Sequence, residues 1–280
     1  MAMIIDGKNI SQQIKEELKE KVTAQKARGK EGALAVIQVG ADPASSVYVR
    51  NKKNACAFVG IESLAYELPE ETPEEELLSL IAELNSNEKV KGILVQLPLP
   101  GHINEDKVIQ AISPSKDVDG FHPQSVGAMV IGEKGFLPCT PAGIIQLLKR
   151  SGIEIAGKNC VVVGRSNIVG KPMALLMLRE HATVTITHSR TQNLAGICRQ
   201  ADILIVAMGK PRFIGAEYVK EGAVVIDVGI HRNAENKLCG DVKFEEVESI
   251  ASAITPVPGG VGPMTIAMLM DNCVQSIEEG

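Results

Sequence analysis

The sequence predicts an α/β fold in two domains, the second a doubly wound parallel sheet. Three observations carry this. Short apolar runs alternate with longer segments whose apolar positions recur at helical spacing. One run, residues 159–163 (NCVVV), passes directly into a glycine turn and a helix start. A Gly- and Pro-rich stretch, residues 131–141 (IGEKGFLPCTP), breaks the rhythm near mid-chain and marks a domain junction. Alternating strands and helices bury their apolar faces most simply as a parallel sheet with helices on its faces.

The elements follow in order. Residues 11–28 are charged, with Ile14, Leu18 and Val22 at helical spacing, and residues 33–39 (ALAVIQV) form an apolar run ending at Gly40, the pattern of a buried strand. Residues 44–59 read as a helix. Thr72-Pro73-Glu74-Glu75 is a helix start, with Thr as cap, Pro at the first position and acids in the first turn. Residues 92–97 (GILVQL) are the next buried strand, closed by Pro98 and Pro100. Beyond the junction come a helix at 142–150 and strands at 159–163, 183–187, 202–206 and 223–228. Residues 262–277 form a last helix, with Pro263 at its start and Ile266, Leu269, Met270 and Val274 on one stripe that must pack on something. There is no internal repeat.

Composition narrows the function. Net charge is −5 with both signs mixed along the chain, and aromatic residues make up 3% with no Trp. A nucleic-acid partner, which needs a clustered basic face or stacking platforms, is not expected. The first residues lack a basic start followed by a long apolar stretch, and no apolar run approaches the roughly 18 residues of a membrane span, so no membrane partner is expected. The six cysteines are scattered without a C-x-x-C pair, and the five histidines show no H-x-x-x-H spacing. These predict reduced core thiols, a cytoplasmic setting and no bound metal.

The glycine turn is Gly164-Arg165-Ser166-Asn167-Ile168-Val169-Gly170, between a strand and a helix start. There a Rossmann domain holds pyrophosphate on the amides and partial positive charge of a helix N-terminus. The usual G-x-G-x-x-G has Ser166 in its middle place, and that hydroxyl can serve a phosphate where close backbone approach is lost. A plain strand–helix turn is the alternative. The next strand, residues 183–187, ends in His188-Ser189-Arg190, and no acid occurs from His181 until Asp202. An NAD-preferring domain carries an acid there for the ribose 2′-OH. An acid-free corner with Arg165, Ser189 and Arg190 suits a 2′-phosphate instead, and so predicts NADP; alternatively Arg190 caps a surface loop.

In the first domain, Tyr48 and Lys52 stand four apart on one helix face. A lysine in a cleft beside a phenol can handle protons; a solvated basic face with Arg50 and Lys53 is the plainer reading. Gln96 ends the strand before Pro98-Leu99-Pro100, the usual ligand position of a parallel sheet. Asp117-Val118-Asp119-Gly120 opens like a calcium loop, but the later positions are His122 and Ala128 rather than Gly and Glu, which excludes calcium. Asp119 can instead bind a planar donor pair on a heterocycle, or form an Asx turn before Gly120. Residues 256–265 (PVPGGVGPMT) place Gly259 and Gly260 before the last helix, a loop able to approach a ligand or to link domains.

Together these motifs resemble the bifunctional methylenetetrahydrofolate dehydrogenase/methenyltetrahydrofolate cyclohydrolase family over essentially the whole chain. The carriers are Tyr48-Val49-x-x-Lys52 with Ala55-Cys56, Val95–Pro100 (VQLPLP), Lys116–Gly120 (KDVDG), Gly164-Arg165-Ser166 with Val169-Gly170, and 258–265 (PGGVGPMT). The resemblance implies NADP+-dependent oxidation of 5,10-methylenetetrahydrofolate, then hydrolysis of the methenyl product to 10-formyltetrahydrofolate. It implies a folate-binding catalytic domain of residues 1–139 plus a returning C-terminal helix, 264–280. A Rossmann NADP-binding domain of residues 140–263 and an active-site cleft between the two complete the scheme. Lys52 would be catalytic, chiefly for hydrolysis, with Gln96 tuning it and Tyr48 packing along the folate. Asp119 would hold the pterin edge, with Gly259 and Gly260 near folate and nicotinamide. Gly164, Arg165, Ser166, Ser189 and Ile230 would contact NADP, and a homodimer is implied. The family often carries K-x-K after the tyrosine, where this chain has Lys52-Lys53-Asn54. A dehydrogenase alone, or a non-catalytic NADP-binding protein, are the alternatives.

Overall fold

The computed structural model describes residues 2–41, 43–233 and 235–279. In chain order its elements are β1 (Met3–Ile4), α1 (Gly7–Lys26), β2 (Ala33–Val39), α2 (Pro43–Val59), β3 (Glu62–Leu68), α3 (Glu74–Ser86), β4 (Val90–Val95), α4 (Glu105–Ala111), α5 (Pro123–Ile131), α6 (Cys139–Arg150), β5 (Asn159–Val163), α7 (Gly170–Arg179), β6 (Thr183–Thr187), α8 (Leu194–Cys198), β7 (Ile203–Val206), β8 (Val224–Asp227), β9 (His231–Arg232), β10 (Leu238–Cys239), α9 (Phe244–Val247), β11 (Ala253–Ile254) and α10 (Val261–Glu279). They divide into two compact units. A small-sheet unit comprises Gln12–Leu137 and Ile266–Gly280, and a large-sheet unit comprises Met1–Ser11 and Pro138–Thr265.

The small sheet has the order β3-β2-β4 with all strands parallel. Its central strand β2 is buried at every position, which is why ALAVIQV reads as an unbroken apolar run. Ile37, Val95 and Ile93 pack with Leu77, Ile81 and Leu84 of α3 in the core. Strand β3 (ESLAYEL) is the edge, exposed at Glu62, Ala65 and Glu67, and its charges hid it from the apolar pattern. Helix α10 is buried around most of its girth, at Met268, Leu269, Met270, Cys273, Val274 and Ile277. Hydrogen bonds also dock it: Asn272 Nδ2 donates to Val118 O at 2.8 Å and Leu137 O at 2.9 Å, and Ser276 Oγ to Lys91 O at 2.5 Å.

The large sheet has the order β1-β11-β8-β7-β5-β6, again all parallel. After β1 the chain re-enters this sheet at β5, steps outward to β6, then returns across β5 to β7 and β8. The crossover direction therefore reverses at β5, and such a switch leaves a crevice at the strand's carboxyl end. Val161, Val163, Leu204, Val206, Val225 and Ile254 fill its core.

Two expectations change. Residues 3–4, placed with the first domain from the sequence, pair with β11 at Met3↔Ala253 and Ile4↔Ile254 in the large sheet. A two-residue strand is too short to show any period. Thr72 does not cap α3: Pro73 is the cap, and the buried Thr72 hydroxyl donates to Pro69 O at 2.7 Å. Glu74, Glu75 and Glu76 do occupy the first turn. Among the described residues, no helix is long and apolar enough to cross a membrane.

The docking of α10 is testable. Asn272→Ala leaves two buried carbonyls without this donor. It should lower the free energy of unfolding by about 2 kcal/mol, seen as a lower urea midpoint at unchanged slope.

Candidate active site

In the small-sheet unit, α2 carries Tyr48 and Lys52 on one face, four residues apart. Lys52 is 7% exposed, so its amine needs a partner. That partner is Gln96: Lys52 Nζ donates to Gln96 Oε1 at 3.0 Å. Gln96 follows β4 and extends the ladder, its N–H donating to Ile37 O of β2 at 2.8 Å. Its own Nε2 donates to Leu97 O at 2.6 Å, which turns Oε1 toward the lysine. The solvated basic face is thus excluded for Lys52, while Arg50 and Lys53 are exposed. Burial pushes the half-buried Tyr48 hydroxyl above its ordinary value and keeps it a neutral phenol. One turn beyond Lys52, burial pushes the Cys56 thiol up to about 12, so it is a core thiol and no nucleophile.

The loop with two carboxylates divides its labour. Asp117 is buried and accepts from Phe121 N at 3.2 Å, His122 N at 2.8 Å and Ser125 Oγ at 2.7 Å. The turn before Gly120 (φ +73°) closes on Asp117 as well, through Gly120 N to Asp117 O at 3.0 Å. Asp117 is thus the carboxylate around which this loop winds. Asp119 is half-buried and lines a narrow pocket with Ile93, Val95, Leu97, Ile112 and Phe121. A carboxylate there shares a wall with the residue that orients Gln96.

In the large-sheet unit the glycine turn sits at the switch point. Gly164 has φ +137°, and a Cβ on it would overlap Ala207 O; a Cβ on Gly170 would overlap Gly164 O. Both glycines are thus imposed by close packing of strand, turn and α7. Ser166 does more than await a ligand: its Oγ accepts from Val169 N and Gly170 N, both at 3.2 Å, ordering the start of α7. Next door, β6 pairs with β5 at Val163↔Thr187, and Gly164 N donates to Thr187 O at 3.0 Å. This brings Arg165 and the Ser189-Arg190 turn, all exposed, to adjoining strand ends. The turn is tied by His188 N to Thr191 Oγ1 at 2.9 Å and Arg190 N to His188 Nδ1 at 3.2 Å.

Ile230, after β8, is 42% exposed, a large apolar side chain presented at a strand end. Gly259 has φ +106°, and a Cβ on it would meet Pro256 Cγ at 3.9 Å, an ordinary contact. Gly260 differs, since a Cβ there would stand 2.6 Å from Pro256 O. Its smallness serves the chain's own packing.

One constellation escaped the sequence reading. Asp227, at the end of β8, and Asp241, after β10, are both buried. Asp227 Oδ1 accepts from Gly229 N and Asp241 N, each at 2.9 Å, and Oδ2 from Val242 N at 3.0 Å. Asp241 Oδ2 accepts from Met208 N at 2.8 Å and Gly209 N at 2.9 Å, and its Oδ1 meets His231 Nε2 at 2.7 Å. Thr255 Oγ1 accepts from Asp227 N at 2.8 Å. The signal was available: Gly229 and Gly240 flank the carboxylates, and a Cβ on Gly229 would lie 2.6 Å from Asp241 Cγ.

Burial, opposed by its three amide donors, pushes Asp227 up to about 6. Between the ordinary carboxylate value and about 6 the folded chain holds a proton that the unfolded chain has lost, so this group's contribution to stability falls as pH rises through that window. Asp227→Asn removes the titration at a constant cost in lost acceptors. The unfolding free energy of the variant relative to the native chain, from urea melts at each pH, should therefore rise from about pH 4 to about pH 7 by on the order of 3 kcal/mol. A difference that does not change with pH would contradict it.

Residues 5–119 match the family description "Tetrahydrofolate dehydrogenase/cyclohydrolase, catalytic domain", and residues 138–280 match "Tetrahydrofolate dehydrogenase/cyclohydrolase, NAD(P)-binding domain". The chain is 74% identical over 278 residues to the "Bifunctional protein FolD" of Agathobacter rectalis, spanning 99% of this chain and 100% of that protein. Its structure is similar to the bifunctional enzyme FolD, methylenetetrahydrofolate dehydrogenase/cyclohydrolase, of Campylobacter jejuni, with TM-score 0.98, 52% identity and coverage of 100% and 99% of the two chains. It is also similar to the Trypanosoma brucei N5,N10-methylenetetrahydrofolate dehydrogenase-cyclohydrolase, solved with NADP cofactor and inhibitor, at TM-score 0.95, 39% identity and coverage of 99% and 98%. The chain belongs to the tetrahydrofolate dehydrogenase/cyclohydrolase family.

Proposed function

We propose that this chain oxidises 5,10-methylenetetrahydrofolate to 5,10-methenyltetrahydrofolate with NADP+ and then hydrolyses that product to 10-formyltetrahydrofolate. The observation that carries the reading is the buried Lys52 amine held on Gln96 Oε1, in a unit whose sequence matches the family's catalytic domain. We assign folate binding to the small-sheet unit and NADP binding to the large-sheet unit.

Each residue's role follows from its surroundings. Gln96, fixed through Leu97 O, offers only an acceptor to Lys52 and holds Nζ in one direction. Lys52 then presents its remaining N–H bonds to water or to the folate, and assists water attack and the later proton transfers of the hydrolysis. Tyr48 lies along the folate as a neutral donor. The Asp119 carboxylate takes the paired N–H donors of the pterin edge, a bidentate match.

The large-sheet unit fits a dinucleotide. Two glycines that admit no Cβ bring strand and helix together, and the positive end of α7 stands behind the turn that takes the pyrophosphate. The Ser166 hydroxyl hydrogen serves a phosphate oxygen while its oxygen orders the turn. Arg165, Ser189 and Arg190 hold the 2′-phosphate at an end of sheet without a carboxylate, and Ile230 supplies an apolar contact. Bound there, NADP+ supplies the hydride acceptor. We assign the Gly259-Gly260 loop to folate and nicotinamide. A homodimer in the cytoplasm completes the reading; the first is what the sequence resemblance implies, and six thiols without a disulfide fit the second.

The deciding experiment follows NADP+ and NAD+ reduction with methylenetetrahydrofolate, then hydrolysis of methenyltetrahydrofolate with no dinucleotide added. NADP+ reduction should exceed NAD+ reduction, and hydrolysis should proceed alone. Failure of NADP+ reduction sinks the functional reading, and hydrolysis that fails leaves a dehydrogenase only. Lys52→Met should slow hydrolysis by on the order of a hundredfold or more; unchanged hydrolysis would remove Lys52 from its role. Arg190→Ala should raise KM for NADP+ about tenfold, with little change for NAD+.

A further inference from the structure

Cofactor contacts in a doubly wound sheet come from the loops after the strands. In the large-sheet unit two such loops, residues 207–214 after β7 and 228–231 after β8, are fastened to each other by side chains rather than by sheet hydrogen bonds. The fastener is Asp241. One oxygen takes the amides of Met208 and Gly209, and the other takes the ring of His231. Its backbone joins in: Phe213 N and Ile214 N donate to Asp241 O at 2.7 and 3.0 Å, and Arg212 N donates to Gly240 O at 2.9 Å. Asp227 secures the near side of the same loop through Gly229 N.

Ile230 therefore sits between two anchors, Gly229 on Asp227 and His231 on Asp241. Ala207, the residue against which Gly164 of the dinucleotide turn packs, sits directly before the amides that Asp241 holds. Asp241 is wholly buried with each oxygen engaged, whereas the His231 side chain is 22% exposed on the β9–β10 hairpin. The pair thus joins a surface hairpin to both loops.

We propose that Asp241 and His231 are positioning residues for the cofactor, fixing Ile230 and residues 208–209 in the single arrangement that receives NADP. This rests on the reading that NADP binds the large-sheet unit with Ile230 in contact. Neither residue touches the reacting atoms; each acts through the backbone it holds.

The test uses the full chain with His231→Ala, His231→Gln, Asp241→Ala and Asp241→Asn. It measures NADPH binding by fluorescence, KM and kcat with NADP+, and dinucleotide-free hydrolysis of methenyltetrahydrofolate. His231→Ala should raise KM for NADP+ about fivefold or more, and the ratio of dehydrogenase to hydrolysis rates should fall by a similar factor. The amide N–H of His231→Gln reaches toward the same carboxylate and should restore KM to within about twofold. Asp241→Asn keeps an acceptor for the two amides and should outperform Asp241→Ala. His231→Ala with native NADPH binding and KM, or His231→Gln as impaired as His231→Ala, overturns the inference while the functional reading stands. Equal loss of both activities also overturns it, since that marks a merely structural role. A native chain that binds no NADPH overturns the functional reading and this inference with it.

Discussion

Every strand of the two larger sheets runs parallel, so each sheet collects the loops that follow its strands at one end, and polar groups must be gathered there without sheet partners. The rest of the structure answers that constraint. At that end of the small sheet the answer is a lysine on an amide, with Asp117 winding the next loop about its carboxylate. At that end of the large sheet it is glycines packed to contact and two buried carboxylates that collect amides from three segments. Chemistry and structural repair share the same end, because only there does the backbone leave donors and acceptors to be spent on anything else.

The buried charges behave differently in the two places. Asp117 and Asp227 are both pushed upward by burial; Asp117 is drawn back by amide and hydroxyl donors, Asp227 by amides alone. Asp227 carries the further burden of Asp241 as a neighbouring charge. Holding two carboxylates so close is costly unless each is fully hydrogen-bonded, and each is. Lys52 is held by a neutral amide and not by a carboxylate, so no ion pair ties its amine.

Much of this was legible in the residues. The unbroken apolar runs became β2 and β5, the acid-free corner lies beside the glycine turn, and Lys52 meets Gln96 across 44 positions of sequence. What stayed hidden had physical reasons. Strand β3 alternates with glutamates because it is an edge; β1 and β11 are two residues long and take their identity from neighbours. Asp117 and Asp119 cannot be told apart by type; both line the same narrow pocket, and only burial and its loop amides mark Asp117 as the structural carboxylate. The Asp227–Asp241 pair is 14 residues apart, and its only sequence mark is a glycine two residues after the first acid and one directly before the second.

Helix α10 has a consequence for how the molecule is made. The small-sheet unit is assembled from Gln12–Leu137 and Ile266–Gly280, with the whole of Pro138–Thr265 threaded between them. Its buried Asn272, Met270 and Val274 arrive only after the other unit's strands have left the ribosome. Until then Val118 O and Leu137 O wait for their donor, and the apolar bed of the helix stays open to solvent. The small-sheet unit, though it comes first along most of its length, is thus the last to be finished during synthesis.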